Sequence, residues 1–182
     1  MLSILATALL ASATLAAPAP DVDSPRAATP TTLTAGQLWI RAVEAPNFHK
    51  YLQTKPANVA GVAILDSYTT AGQFNIVDGQ LVNSLGSDGP LYMHVQEPAD
   101  PANPPRTLAT SFNTTKSTFG TFAFQGDTVT WTAPTVKRQN LAAWLVCARQ
   151  QLFVNTGAYA YQTPAGCADE TIHFYNAATA NS

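Results

Sequence analysis

Gln73-Phe74-Asn75-Ile76-Val77-Asp78-Gly79-Gln80-Leu81-Val82 is the stretch on which the fold class turns. Apolar residues flank an Asp-Gly pair, and that pair supplies the positive φ angles a two-residue type I′ turn requires. The reading is a β-hairpin. Working outward, Leu91, Met93 and Val95 alternate with Tyr92, His94 and Gln96, the pattern of a half-buried strand. Further on, Thr118 to Gln125 and Val129 to Thr132 pair across Gly126-Asp127, with Phe122 and Phe124 facing Val129 and Trp131. Towards the amino terminus, Leu38 to Val43 and Gly61 to Leu65 read as strands. The polar stretch Asn47 to Asn58, with prolines at 46 and 56, reads as a loop, as does the proline-rich Glu97 to Arg106. Leu141 to Cys147, Gln151 to Val154, Tyr159 to Tyr161 and Thr171 to Tyr175 complete the set.

About ten short strands, with turn signals every 8–12 residues or so, predict an all-β chain: a single β-sandwich or barrel-like domain over residues 35–182. Trp39, Trp131 and Trp144 lie within apolar runs and are expected in the core. Two cysteines, Cys147 and Cys167, predict one disulfide. No histidine stands at zinc-ligand spacing to either, and neither metal nor cofactor is expected.

The first residues, MLSILATALLASATLA, are an uncharged apolar run too short to span a bilayer, ending in the small-x-small pattern of Thr14 and Ala16. Residues 1–16 are therefore read as a signal peptide. Residues 17–34, with Pro18, Pro20, Pro25 and Pro30, read as an extended leader, and Thr29, Thr31 and Thr32 beside Pro30 suit O-glycosylation. The carboxyl terminus has no hydrophobic tail, so the expectation is a secreted protein, released or wall-held, with no membrane partner. Asn113-Thr114-Thr115 is an N-glycosylation sequon. Lys137-Arg138 is a dibasic pair that reads either as a processing point or, more simply, as a protected turn.

Charged residues are only 11% of the chain and the formal net charge is −2, which gives no footprint for nucleic acid or acidic lipid. His49, His94 and His173 are scattered, and Asp78, Asp88 and Asp127 sit beside turn glycines. No Gly-x-Ser-x-Gly, phosphate loop or His-Glu-x-x-His occurs. The chain is therefore read as non-catalytic. Tyr159 and Tyr161 alternate within the disulfide loop, where two rings on one strand face would stack on sugars.

The run from Ala143-Trp144-Leu145-Val146-Cys147 through Gln151-Leu152-Phe153-Val154-Asn155-Thr156-Gly157 to Ala165-Gly166-Cys167-Ala168-Asp169-Glu170 resembles fungal cell wall proteins of the phiA type. Ile40-Arg41-Ala42 and the hairpin followed by Leu91-Tyr92 match the same layout, from about Leu38 to Tyr175. Phe153 stands where that layout often has Trp, and no extra cysteine precedes the first hairpin. Val77-Asp78-Gly79-Gln80-Leu81 is fainter in its similarity to the C-terminal domain of yeast wall proteins with internal repeats, which implies Gln80 as a point of attachment to glucan. The resemblance implies a secreted, wall-associated structural glycoprotein, allergen-like in its relatives, with a polysaccharide such as glucan or chitin as partner and a monomer as the working assumption. The alternative is a carbohydrate-binding or effector-like module. A small glycoside-active enzyme ranks third.

Overall fold

The structure, a computed structural model, describes residues 32–182; the expected signal peptide and most of the expected leader lie outside the described residues. Thirteen strands form one sheet system. They are β1 (Trp39–Ala42), β2 (Tyr51–Lys55), β3 (Gly61–Asp66), β4 (Phe74–Val77), β5 (Gln80–Asn83), β6 (Leu91–Val95) and β7 (Thr107–Asn113), then β8 (Thr121–Gln125), β9 (Thr128–Thr132), β10 (Trp144–Val146), β11 (Leu152–Asn155), β12 (Ala168–Glu170) and β13 (Ile172–Tyr175). Among the described residues, helix is confined to two short 3₁₀ turns, Tyr68–Thr70 and Ala148–Gln150.

The all-β expectation holds, and its form is the barrel-like one. Ten strands run in the order β12-β10-β11-β7-β3-β2-β1-β13-β9-β8 as a nearly closed sheet, and β4-β5-β6 branch from β7. The defining hairpin is present as read: Asp78 and Gly79 take φ of 52° and 75°, and Val77 pairs with Gln80. Its tip reaches across to β8, where Phe122 N–H donates to Gly79 O at 2.8 Å. That bond brings the branch towards the far end of the ten-strand path. The second hairpin also forms in the expected register, Phe122 opposite Trp131 and Phe124 opposite Val129. The main core fills the interior with Ile40, Leu52, Leu65, Phe74, Leu81, Met93, Phe112, Trp131, Trp144 and Ile172, among others.

Three strands lie where the sequence reading placed none: β2, β7 and the three-residue β12. β2 occupies the expected loop 47–58. Tyr51, Leu52, Gln53 and Thr54 are all buried there because both faces of the strand are covered, so no alternation marks it. Gln53 tolerates burial by donating its amide to the carbonyls of Tyr51 and Ser67. β7 follows the proline-rich excursion and carries Leu108, Thr110 and Phe112 inward. Thr110 Oγ1 donates to Leu152 O at 2.6 Å, so a polar residue takes a core position and dilutes the apolar signal. Conversely, the strand expected at 159–161 is a turn with no ladder partner.

A second small core lies under the chain ends. Trp39, Tyr51 and Ala71 pack with Leu33, Tyr175 and Ala180. Trp39 Nε1 donates to Ala177 O, and Asn181 N–H donates to the Tyr51 hydroxyl. Thr32 bridges Thr179, so the last residues of the expected leader already belong to the folded domain.

Candidate functional site: a cation-lined cleft beside Tyr161

The disulfide loop is built from the end of β11. Asn155 is fully buried; its Oδ1 accepts from Gly157 N–H and its Nδ2 donates to Asp169 Oδ1 at 2.8 Å. This side-chain turn ends the strand. Arg106, at the entry to β7, then gathers the loop. Its Nη2 donates to Ala158 O at 2.7 Å and to Tyr161 O at 2.8 Å. The guanidinium packs close on the backbone of Gly157, where a Cβ would lie 2.5 Å from Arg106 Nη1 and push it aside. Thr163 Oγ1 donates to Asp169 Oδ2, and the loop closes at the Cys147–Cys167 disulfide.

This framework separates the two tyrosines that the sequence placed on one face. Ala160 and Gln162 hold φ of 54° and 50°, left-handed conformations that cost about 1 kcal/mol or more in a non-glycine residue. The reversal turns Tyr161 outward, 62% exposed. Tyr159 is instead half-buried. Burial raises its pKa, and the carboxylates of Glu44, Glu170 and Asp169 add to the rise. A stacking platform therefore rests on Tyr161 alone.

Tyr161 borders a cleft of about 520 Å³ lined also by Arg106, Lys137, Arg138, Gln139, Thr156 and Gln162. No carboxylate lines it. Arg138 forms its floor and is spoken for: Nε donates to Asn155 O, Nη1 to Trp131 O and Leu141 O, and Nη2 to Ala143 O. Burial lowers its pKa to about 10, still far above neutral pH. A protease would have to extract this side chain to cut after it, which favours the protected-turn reading of Lys137-Arg138. Lys137 beside it is exposed.

The remaining sequence candidates are dispersed. Gln80 is only 8% exposed, and its amide both donates to Ser117 O and accepts from Ser117 N–H. A covalent link there would require both bonds to break. Asn113, Thr114 and Thr115 are exposed at the end of β7, so the sequon is accessible. His49 stacks on Phe48, His94 lies 2.8 Å from Thr115 O, and His173 lies 3.1 Å from Asp127. Among the described residues, no group of three or more His, Cys, Asp or Glu is placed to hold a metal ion, and no helix is long and apolar enough to cross a membrane.

Sequence reasoning missed Arg106 and Lys137 as cleft residues, and Glu170 as a buried carboxylate. Glu170 is fully buried on β12; Oε1 accepts from the N–H groups of Val43, Glu44 and Thr171, while Oε2 has no partner among the described residues. Burial raises its pKa against the pull of those three bonds. The one local hint for Arg106 was a glycine two residues past a strand-ending asparagine, which marks a close approach without naming what approaches.

Fold and cleft together define a small all-β domain, closed by one disulfide, that presents a polar surface cleft and one outturned aromatic ring. The chain belongs to the family described as a domain of unknown function (DUF7907), whose match covers residues 42–172. No curated protein and no solved structure matches the chain.

Proposed function

We propose that this protein is an exported, non-catalytic component of the fungal cell wall type, held to wall polysaccharide through the cleft beside Tyr161. The observation that carries the reading is the presentation of Tyr161. Its ring is exposed between two left-handed residues, on a loop fixed by Arg106 and the disulfide, next to the amides of Gln139 and Gln162. A rigid aromatic face with flanking amides and hydroxyls suits a sugar ring, which offers an apolar face and a rim of hydroxyls. The disulfide and the signal-like first residues support an oxidising, extracellular setting. The sequon at Asn113 supports a glycoprotein.

The test is retention of the mature protein on washed insoluble β-glucan and chitin. Retention is expected on at least one, with Tyr161→Ala weakening it about tenfold, the scale of one lost stacking contact, and Tyr159→Ala leaving it unchanged. Absence from both polymers and from washed walls would sink the proposal. Polysaccharide hydrolysis abolished by a single carboxylate substitution would replace it with an enzymatic one.

A further inference from the structure

The cleft beside Tyr161 holds an excess of positive charge that a neutral glucan would not use. The whole chain has nine Lys and Arg, and Arg106, Lys137 and Arg138 meet in this cleft with no acid in its lining. Arg138 is consumed by its carbonyl contacts and contributes field only. The other two are available. Neither Arg106 nor Lys137 forms an ion pair among the described residues. The Arg106 Nη2 bonds go to the loop, Nη1 makes no hydrogen bond within the described residues, and Nε is buried without a partner. Nε lies out of a ligand's reach, so the free Nη1 end of the guanidinium, in a concave site, is the recognition group for an anion.

Lys137 also lines a second cleft, of about 490 Å³, with Pro101, Ala102, Pro104, Thr135 and Asp100. The two clefts therefore share one cation, Lys137, at their common border. The second cleft is largely apolar. Its one acid, Asp100, is engaged by Asn103 Nδ2 and Ala102 N–H, which hold its pKa below the usual carboxylate value. The positive charge and the exposed ring lie together in the Arg106 cleft. Two neighbouring clefts that share a cation, one of them with an exposed ring, can take successive units of a polymer in a way a small solute cannot use.

We propose that these two clefts bind an anionic polysaccharide, its acid groups seated at Arg106 and Lys137 and a sugar ring against Tyr161. The inference rests on the polysaccharide reading above and names its ligand class. Because the net charge of the chain is slightly negative, attraction is local to the clefts, so binding weakens as salt screens it over about 10 Å at 0.1 M.

Affinity electrophoresis of the mature protein through gels carrying polygalacturonate, phosphomannan, β-glucan or glycol chitin tests this. Stronger retardation by polygalacturonate or phosphomannan than by the neutral polymers is expected, and which of the two is stronger separates carboxylate from phosphate recognition. Lys137→Gln, at an exposed position, should weaken the anionic retardation several-fold at low salt, and more than it weakens any neutral retardation. Arg106→Gln should weaken it further, with near-native circular dichroism showing that the fold persists. Equal retardation by neutral and anionic gels overturns the anionic inference and keeps the polysaccharide reading. Retardation by no polymer overturns both. Anionic retardation unaffected by Lys137→Gln and by Arg106→Gln would place the binding elsewhere and overturn the assignment.

Discussion

Arg138 and Glu170 are ionisable side chains withdrawn from water at different places in the sheet, and among the described residues neither is met by an opposite charge. Backbone dipoles do the work in both cases. Arg138 donates to four carbonyls drawn from β9, β11 and the segment before β10. Glu170 accepts from three N–H groups, two at the exit of β1 and one beside itself. The difference lies in completeness. The guanidinium fork spreads its donors over several strand ends and stays charged at any physiological pH. The carboxylate satisfies one oxygen three times over and leaves the other with none, so burial still raises its pKa. A buried cation thus acts as a stitch, and a buried anion as a titratable weak point.

The largest expected effect breaks the stitch. Arg138→Ala should lower stability in urea unfolding by about 4 kcal/mol, because several carbonyls lose charge-assisted partners at once. Arg138→Lys should lose about half of that, since a point charge cannot replace the planar fork. A loss under about 1 kcal/mol for the alanine variant would show that water replaces the guanidinium freely.

Next comes the cross-link, which joins the end of β10 to the approach to β12. Replacing Cys147 and Cys167 together by serine should cost about 3 kcal/mol, the entropy of closing a loop of this length. The double variant should leave the Arg138→Ala effect additive, because Arg138 and the two cysteines share no hydrogen-bond partner among the described residues. Strong coupling between them in a double-mutant cycle would mean that the two features act as one unit.

The smallest effect is the pH signature of Glu170. Its folded-state pKa is raised, so between the usual glutamate value and that raised value the folded chain holds a proton the unfolded chain has released. Stability contributed by this group is therefore highest at low pH, falls as pH rises through that window, and is level above it. Glu170→Gln should flatten this part of the profile. Asp127 carries the opposite sign: the His173 hydrogen bond lowers its pKa, so its contribution is lost as pH falls below the usual aspartate range. Unfolding midpoints across the acid range, with and without Glu170→Gln, separate the two. An unchanged slope in the variant would remove Glu170 as the titrating group.

How much of this was legible beforehand differs by element. Hairpins β4–β5 and β8–β9 were readable because each carries its own turn chemistry and register within about ten residues. The inward face of β6 was readable because one side of it is partly exposed, which leaves an alternating pattern. β2 was not, because a strand covered on both sides carries no period-two signal and Gln53 and Thr54 look like loop. Tyr159-Ala160-Tyr161 misled for the converse reason. It alternates locally, yet no strand lies beside it, and Arg106, more than fifty positions away, fixes it as a turn.

By itself, the sequence determined an all-β chain, a single Cys147–Cys167 bridge, core tryptophans and the outlines of two hairpins, since each follows from neighbouring residues or from counting. Only the tertiary structure decided that the sheet nearly closes on itself, that Gln80 is spent on Ser117, and that one tyrosine faces out while its neighbour turns in. It also decided that Arg106, Lys137 and Arg138 share one cleft. These depend on contacts between distant segments, and side-chain direction in a loop is set by whatever the fold brings against it.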